Sequence, residues 1–122
     1  MDVIAKLQIK PGQSVAALAA AGALGEVPDV VAGDVNPPAE PGAADAVIAF
    51  ARNEAELDAV AAPAIEAARQ DRLAWIAYPK GGKLGTDLNR DVLAALLTGR
   101  GVQPVRQVAI DETWSALRFR PA

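Results

Sequence analysis

The chain is predicted to fold as an α/β protein with a mostly parallel sheet, because strand and helix patterns alternate along its 122 residues. Apolar residues make up 52% of the sequence and are mostly Ala, Val and Leu, as in cores where helices pack closely on a sheet. The last two strand patterns are separated only by residues 111–115, a joint that suits a hairpin. We therefore expect one domain over residues 1–122, with an antiparallel pair at its end.

Three strands are predicted in the first half of the chain. A short helical turn over Asp2–Leu7 precedes a turn at Lys10–Gln13, where Pro fixes φ and Gly accepts a positive φ. Continuous small apolar residues then indicate a buried strand, as in parallel sheets. The three strands cover Ser14–Ala20, Val30–Val35 and Asp45–Ala51, and a Pro-rich exposed connection covers Asn36–Gly42.

A helix is predicted to follow the third strand. Asn53 caps it, and Glu56 stands three residues on, the spacing of a capping box. Pro63 lacks a backbone donor and is expected to kink this helix or to mark a weak turn. The apolar residues at helical spacing are Leu57, Val60, Ala61, Ala64, Ile65 and Ala68.

The second half begins with a strand whose central Trp75 is expected to be buried. A Gly/Lys-rich loop leads into a helix with Thr86 as its N-cap, and Gly99 and Gly101 are its stop signals. Two strands follow and form the expected hairpin. The predicted ranges are Leu73–Tyr78 for the strand, Asp87–Thr98 for the helix, and Val105–Ile110 and Ala116–Phe119 for the final strands.

The composition excludes several kinds of chemistry. The chain has no cysteine, so disulfides, thiolate catalysis and cysteine zinc sites are impossible. It has no histidine, so it lacks the usual general base and the commonest transition-metal ligand. Carboxylates alone can hold calcium or magnesium, but EF-hand spacing is absent. We therefore expect neither a metal nor a cofactor.

The charge distribution argues against nucleic acid and membrane partners. The net charge of −3 divides into −7 through Asp71 (4 basic and 11 acidic residues) and +4 from Arg72 onward (8 basic and 4 acidic). The basic half is too dilute, and too poor in interleaved aromatics, for a nucleic-acid surface. No signal-peptide pattern is present, and no apolar run reaches the roughly 20 residues needed to span a bilayer. A cytoplasmic location is therefore expected.

Four segments carry a resemblance to a known family. They are Leu7–Gln13 (LQIKPGQ), Trp75–Lys80 (WIAYPK), Thr86–Asn89 (TDLN) and Asp111–Ser115 (DETWS). With these segments the chain resembles an uncharacterised family of small bacterial proteins, a domain of unknown function common in actinobacteria. The resemblance implies a three-layer Rossmann-like fold, similar to a truncated class I methyltransferase with a C-terminal antiparallel hairpin. It implies no biochemical activity.

A Rossmann-like fold would place a cofactor beyond the carboxyl ends of the strands. The turn after the first strand contains Gly22 and Gly25, which fall short of the G-x-G-x-x-G pattern. Asp34 lies near the end of the second predicted strand, where an acidic residue can bind ribose hydroxyls, but it comes only 12 positions after Gly22. The alternative is an ordinary Ala/Gly turn and a surface carboxylate.

The loop after Tyr78 is a candidate anion site. Exposed N–H groups at a helix N-terminus and two ammonium groups suit an anion, although the loop is not a Walker A sequence and Asp87 opposes an anion. The alternative is a flexible connection capped by Thr86. The candidate ligand-binding residues of this loop are Lys80, Gly81, Gly82, Lys83 and Thr86.

The joint between the final strands is the other half of the predicted site. Asp111 and Glu112 could act as acid and base, but neighbouring strand residues point to opposite faces. The alternative is that a carboxylate bonds to backbone or arginine and that Trp114 packs in the core. Because both segments follow strand ends, we expect the loop at Lys80–Asp87 to meet the joint at Asp111–Trp114.

The leading hypothesis is a small non-catalytic cytoplasmic protein that binds a partner or a small ligand, and a homodimer is compatible with it. The alternative is a divergent adenosylmethionine- or nucleotide-binding enzyme with a degraded glycine motif. A third hypothesis is a structural subunit of a larger assembly.

Overall fold

A computed structural model describes residues 6–10, 13–19, 44–81 and 85–122. The predictions for residues 2–5, for the strand at Val30–Val35 and for the connection at Asn36–Gly42 lie outside these ranges. In the described part, five strands and two helices follow one another along the chain. They are β1 (Val15–Ala19), β2 (Ala46–Phe50), α1 (Glu54–Arg69), β3 (Leu73–Pro79), α2 (Arg90–Thr98), β4 (Val102–Ala109) and β5 (Trp114–Pro121).

The strands form one mixed sheet in the order β1-β2-β3-β5-β4. The pairs β1–β2 and β2–β3 are parallel, whereas β3–β5 and β5–β4 are antiparallel. The predicted mostly parallel, three-layer Rossmann-like fold is therefore wrong. Strands β3 and β4 run in the same direction on either side of β5, so the chain crosses over through α2 and then returns to fill the gap with β5.

Both helices pack on the same face of the sheet, which we call the helix face. Leu57, Ile65 and Leu93 join strand residues such as Ile76 and Phe119 in one buried cluster there. The opposite face, called the second face, carries its own buried cluster. Its members are Leu7, Ile9, Val15, Ala46, Ile48, Phe50, Trp75, Ala77, Ile110, Trp114 and Ala116. Neither described helix is long and apolar enough to cross a membrane.

Helix α1 begins as predicted. The Asn53 side chain accepts a hydrogen bond from the N–H of Glu56 at 2.9 Å. The Glu56 carboxylate reaches back one residue further than in a capping box and bonds the backbone N–H and guanidinium of Arg52. These hydrogen bonds lower the pKa of Glu56. The helix does not end at Pro63 but continues to Arg69.

Helix α2 begins three residues later than predicted. Its N-cap is Asn89, whose side chain accepts from the N–H of Val92 at 2.9 Å, so the prediction of Thr86 as N-cap is wrong. Contacts with distant parts of the chain explain the later start of α2. Leu88 is buried in the helix-face core, and Asp87 accepts a hydrogen bond from the N–H of Glu54 at the start of α1. Both contacts hold this stretch outside the helix.

Trp75 is buried, as predicted, with 0% of its surface exposed, and it lies in the cluster on the second face. Its indole N–H donates to the carbonyl oxygen of Leu7 at 3.0 Å, which ties the N-terminal segment to the sheet. Beside it, the rings of Phe50 and Trp114 meet edge to face, with centroids 5.4 Å apart. Such geometry is favourable for aromatic pairs.

We predict that Trp75→Ala lowers the free energy of unfolding by about 3–5 kcal/mol, because it leaves a cavity and an unpaired carbonyl at Leu7. Urea denaturation measures the change. Leu96→Ala is the control, since Leu96 is 36% exposed on α2 and its truncation should cost under about 1 kcal/mol. Equal losses for the two variants would contradict the burial of Trp75.

Candidate functional site

The two segments predicted to share a site lie side by side at the carboxyl end of β3. Pro79 pairs with Trp114, and the backbone N–H of Lys80 donates to the carbonyl oxygen of Thr113 at 2.7 Å. The loop after β3 and the connection between β4 and β5 therefore meet at one end of the sheet. Gly82 and Lys83 are outside the described residues, so this contact rests on Lys80 and its neighbours.

The β4–β5 connection uses its polar atoms to build its own turn. The Asp111 carboxylate accepts from the N–H groups of Thr113 at 2.8 Å and Trp114 at 2.7 Å. The Trp114 carbonyl in turn accepts from the N–H groups of Ile110 and Asp111. A side-chain oxygen that closes a turn in this way is a common role of Asp. Asp111 and Trp114 thus fit the structural alternative, whereas Glu112 is exposed.

The loop residues before α2 also serve the fold. Thr86 accepts a hydrogen bond from the N–H of Leu88 at 2.9 Å, and Asp87 accepts from Glu54 at 2.9 Å. Asn53 and Asn89 cap the described helices, and Asp87 also accepts from the first N–H of α1, so side chains of the chain itself occupy the helix N-termini where an anion would bind. Gly81 is exposed, and Lys80 forms no ion pair within the described part of the chain.

Tyr78 occupies the helix face at this end and is 3% exposed. Its hydroxyl accepts a hydrogen bond from the Gln107 amide at 3.0 Å, a contact that passes over β5. Burial raises the pKa of Tyr78, while the charge of Arg90 opposes the shift and that of Asp91 adds to it. The phenol therefore stays neutral at physiological pH and acts as a link between β3 and β4.

A different polar site, which the sequence analysis missed, lies on the second face. Arg106 of β4 stands opposite Arg118 of β5, and Arg120 follows two residues further along β5. Because strand residues alternate between faces, Arg118 and Arg120 share one face. We call these three residues the arginine cluster. Like charges directly opposite one another destabilise a sheet, so this arrangement works against folding.

The cluster contains more donors than the described residues satisfy. Arg120 forms two hydrogen bonds with the Asp71 carboxylate, at 2.9 and 3.1 Å, and Arg118 donates one to the Gln8 side chain at 2.7 Å. The Nε of Arg118 is buried and has no hydrogen-bond partner in this part of the chain. Burial and the neighbouring charges of Arg120 and Arg106 lower the pKa of Arg118, with Asp71 acting in the opposite direction.

The two side chains that contact the cluster come from unusual backbone positions. Gln8 has a φ of +64° and Asp71 a φ of +58°, and no other non-glycine residue in the described ranges has a positive φ. The left-handed region is unfavourable for most residues with a side chain. The left-handed backbone of Asp71 ends helix α1, where its N–H donates to the carbonyl oxygen of Ala68. Both left-handed residues place a polar side chain beside the arginine cluster.

A cleft of about 390 Å³ opens beside the cluster. It is lined by Asp71, Gln103, Val105, Arg120 and Pro121. Val105 lies at a β-bulge, where the pairing with β5 shifts between Pro104 and Arg106, and it is 46% exposed. The cleft is at the opposite end of the sheet from Lys80, since β5 runs antiparallel to β3.

The signal for the cluster was present in the sequence. In the run Leu117-Arg-Phe-Arg120 apolar and basic residues alternate, as on a strand with one buried face. The net charge of each half of the chain does not reveal this alternation. The pairing of Arg106 with Arg118 was not readable, because register between strands is a tertiary property.

Other predicted features remain untested. The cofactor candidates Gly22, Gly25 and Asp34 lie outside the described residues. Within those residues, no three acidic side chains converge to hold a metal ion. No protein-family model, curated protein or solved structure matches this chain. The resemblance to an uncharacterised bacterial family therefore stays a prediction.

We predict that Asp111→Ala lowers the free energy of unfolding by about 1–2 kcal/mol, because two N–H groups of the turn lose their acceptor. Chemical denaturation at neutral pH measures the loss, and Asp111→Asn, which keeps a side-chain oxygen, should recover part of it. Glu112→Ala is the matched control and should change stability by less than about 0.5 kcal/mol. Similar effects of the two alanine variants would contradict the structural role of Asp111.

Proposed function

We propose that this chain is a non-catalytic cytoplasmic protein that binds a small ligand or a partner through an oxyanion at the arginine cluster. The observation that carries the proposal is the buried Nε of Arg118, for which the described part of the chain supplies no acceptor. Within the described ranges, three guanidinium groups share one face and the carboxylate of Asp71 bonds only to Arg120, while one buried donor of Arg118 has no partner there. A carboxylate or phosphate group would supply the missing acceptors and reduce the repulsion.

Arginine is well suited to this task. Its planar guanidinium offers donors in a fixed fork that matches carboxylate and phosphate oxygens, and it remains charged even when its pKa is lowered. Hydrogen bonds to ionised groups are also stronger than neutral ones. Partial burial of Arg118 strengthens an interaction with an anion, because water screens it less.

A nucleic acid is a poor ligand for this face. Bound single strands need exposed aromatic rings on which bases can stack. The tryptophans on the second face, Trp75 and Trp114, are 0% and 1% exposed and so offer no ring surface. Three arginines are also few for a backbone-tracking groove, so a ligand with one or two oxyanions fits better.

Two features favour binding without catalysis. A hydrogen bond from Arg120 lowers the pKa of Asp71, so this carboxylate is a weak base at neutral pH. The alternative of an adenosylmethionine- or nucleotide-binding enzyme was based on a Rossmann-like fold, and that fold is wrong. Membership of the uncharacterised bacterial family, together with a cytoplasmic location, remains part of the proposal.

Titration with malonate and with inorganic phosphate tests the proposal. Nitrogen–proton spectra of the arginine side chains should show a saturable shift of the Arg118 Nε signal with at least one of the two anions. Chloride at the same ionic strength should not reproduce the shift, because screening alone is unspecific. Arg106→Gln should weaken binding by at least about threefold, whereas Arg90→Gln, at the start of α2, should leave it unchanged. Equal responses to chloride and to both oxyanions would refute the proposal.

We also predict that Asp71→Asn tightens malonate binding by about threefold or more. The substitution removes a competing acceptor of Arg120 and a negative charge from the site. Asparagine tolerates the left-handed backbone as well as aspartate does, so the fold should be retained. Calorimetric titration measures the affinity, and a thermal melt checks folding. Weaker binding to a folded Asp71→Asn variant would show that Asp71 is not a competitor.

A further inference from the structure

We infer that the cleft beside Arg120 accepts the apolar part of the ligand, so that the ligand is a small carboxylate with a short aliphatic chain. This inference rests on the proposed function, because it assumes that the oxyanion binds at the arginine cluster. It adds the class of ligand and a second group of contact residues.

The size of the cleft sets the size of the ligand. Its volume of about 390 Å³ is at the lower end of the range of roughly 300–1,000 Å³ that small-molecule sites occupy. One water molecule takes about 30 Å³ of liquid, so the cleft has room for on the order of ten ligand atoms. A short chain fits this space, while a polymer would have to lie mostly outside it.

The lining of the cleft combines an apolar wall with a charged one. Val105 and Pro121 supply apolar surface, and Arg120, a member of the arginine cluster, supplies the charged wall. Val105 and Leu96 are the exposed large apolar side chains in the described ranges, and Val105 lines this cleft. The bulge at Val105 accounts for its placement, since bulges redirect side chains out of the regular pleat.

The charges fix the direction in which the ligand lies. Asp71 lines the cleft and would repel a carboxylate, but its two hydrogen bonds to Arg120 pair the two charges with each other. The remaining positive charge belongs to Arg106 and Arg118. The carboxylate therefore binds on their side, and the chain extends past Arg120 toward Val105.

Comparison of acetate with hexanoate tests the inference. Both carry one carboxylate, and hexanoate adds four methylene groups. We expect hexanoate to bind about tenfold or more tightly, because burial of each methylene in the cleft is favourable. Val105→Thr should weaken hexanoate binding about threefold and leave acetate binding unchanged. Threonine keeps the branched shape of valine and its preference for strands, so the variant should fold.

The outcomes separate the two proposals. If acetate and hexanoate bind with equal affinity and Arg106→Gln weakens both, the cleft does not bind the aliphatic chain. The proposal that the arginine cluster binds the carboxylate would still hold. Hexanoate binding that survives Val105→Thr but falls in Leu96→Ala would also overturn it, because the chain would then lie on α2. If Arg106→Gln affects neither ligand, the proposed function itself fails. Val105→Ile, which keeps the branched shape and the strand preference, is the second variant should Val105→Thr melt at a lower temperature than the wild type, and it should change hexanoate binding but not acetate binding.

Discussion

Strand β5 contributes to both faces of the sheet, and its register determines most of the structure. Leu117 and Phe119 enter the core under the helices, whereas Trp114 and Ala116 enter the core of the second face. Because side chains alternate along a strand, these placements bring Arg118 to the second face together with Arg120. A slip of one residue would place the guanidinium groups under the helices, at a large cost in desolvation. The arginine cluster is thus fixed by the packing of apolar residues.

The two ends of the sheet, which β5 connects, differ in how their polar side chains are hydrogen-bonded. At the carboxyl end of β3, Asp111 accepts hydrogen bonds from backbone N–H groups in its turn, and Asp87 accepts one at the start of α1. At the other end, Arg120 and Arg118 bring more donors than the described residues there can accept, and the buried Nε of Arg118 is left unpaired among them. Asp111 and Asp87 already form hydrogen bonds that stabilise the fold. The donor of Arg118 that is unpaired within the described ranges remains available to a ligand, so it marks the surface at which we propose binding.

Much of the local structure could be predicted from the sequence, because it depends on neighbouring residues. The strands around Val15 and Trp75 and the helix after Asn53 follow from apolar patterns and a capping residue, and the structure contains all three. The sheet order could not be predicted, since nothing near β3 indicates that β5 is its neighbour. The start of α2 was also missed, because Asp87 bonds to a residue 33 positions away. For the candidate site, the prediction that the loop after β3 lies beside the connection between β4 and β5 is confirmed.

An oxyanion that binds at the arginine cluster, as we propose, must compete with Asp71 for Arg120. Asp71 already supplies two acceptors from a backbone held at a φ of +58°, so an oxyanion that merely replaces it gains little. Binding becomes favourable only if the ligand also satisfies the buried Nε of Arg118 or places apolar atoms on Val105. A simple inorganic anion can accept a hydrogen bond from Arg118, but it has no apolar atoms to place on Val105. A carboxylate with an aliphatic chain can use both, so the fixed arrangement of Asp71 and the cluster selects for ligands that extend beyond their charged group.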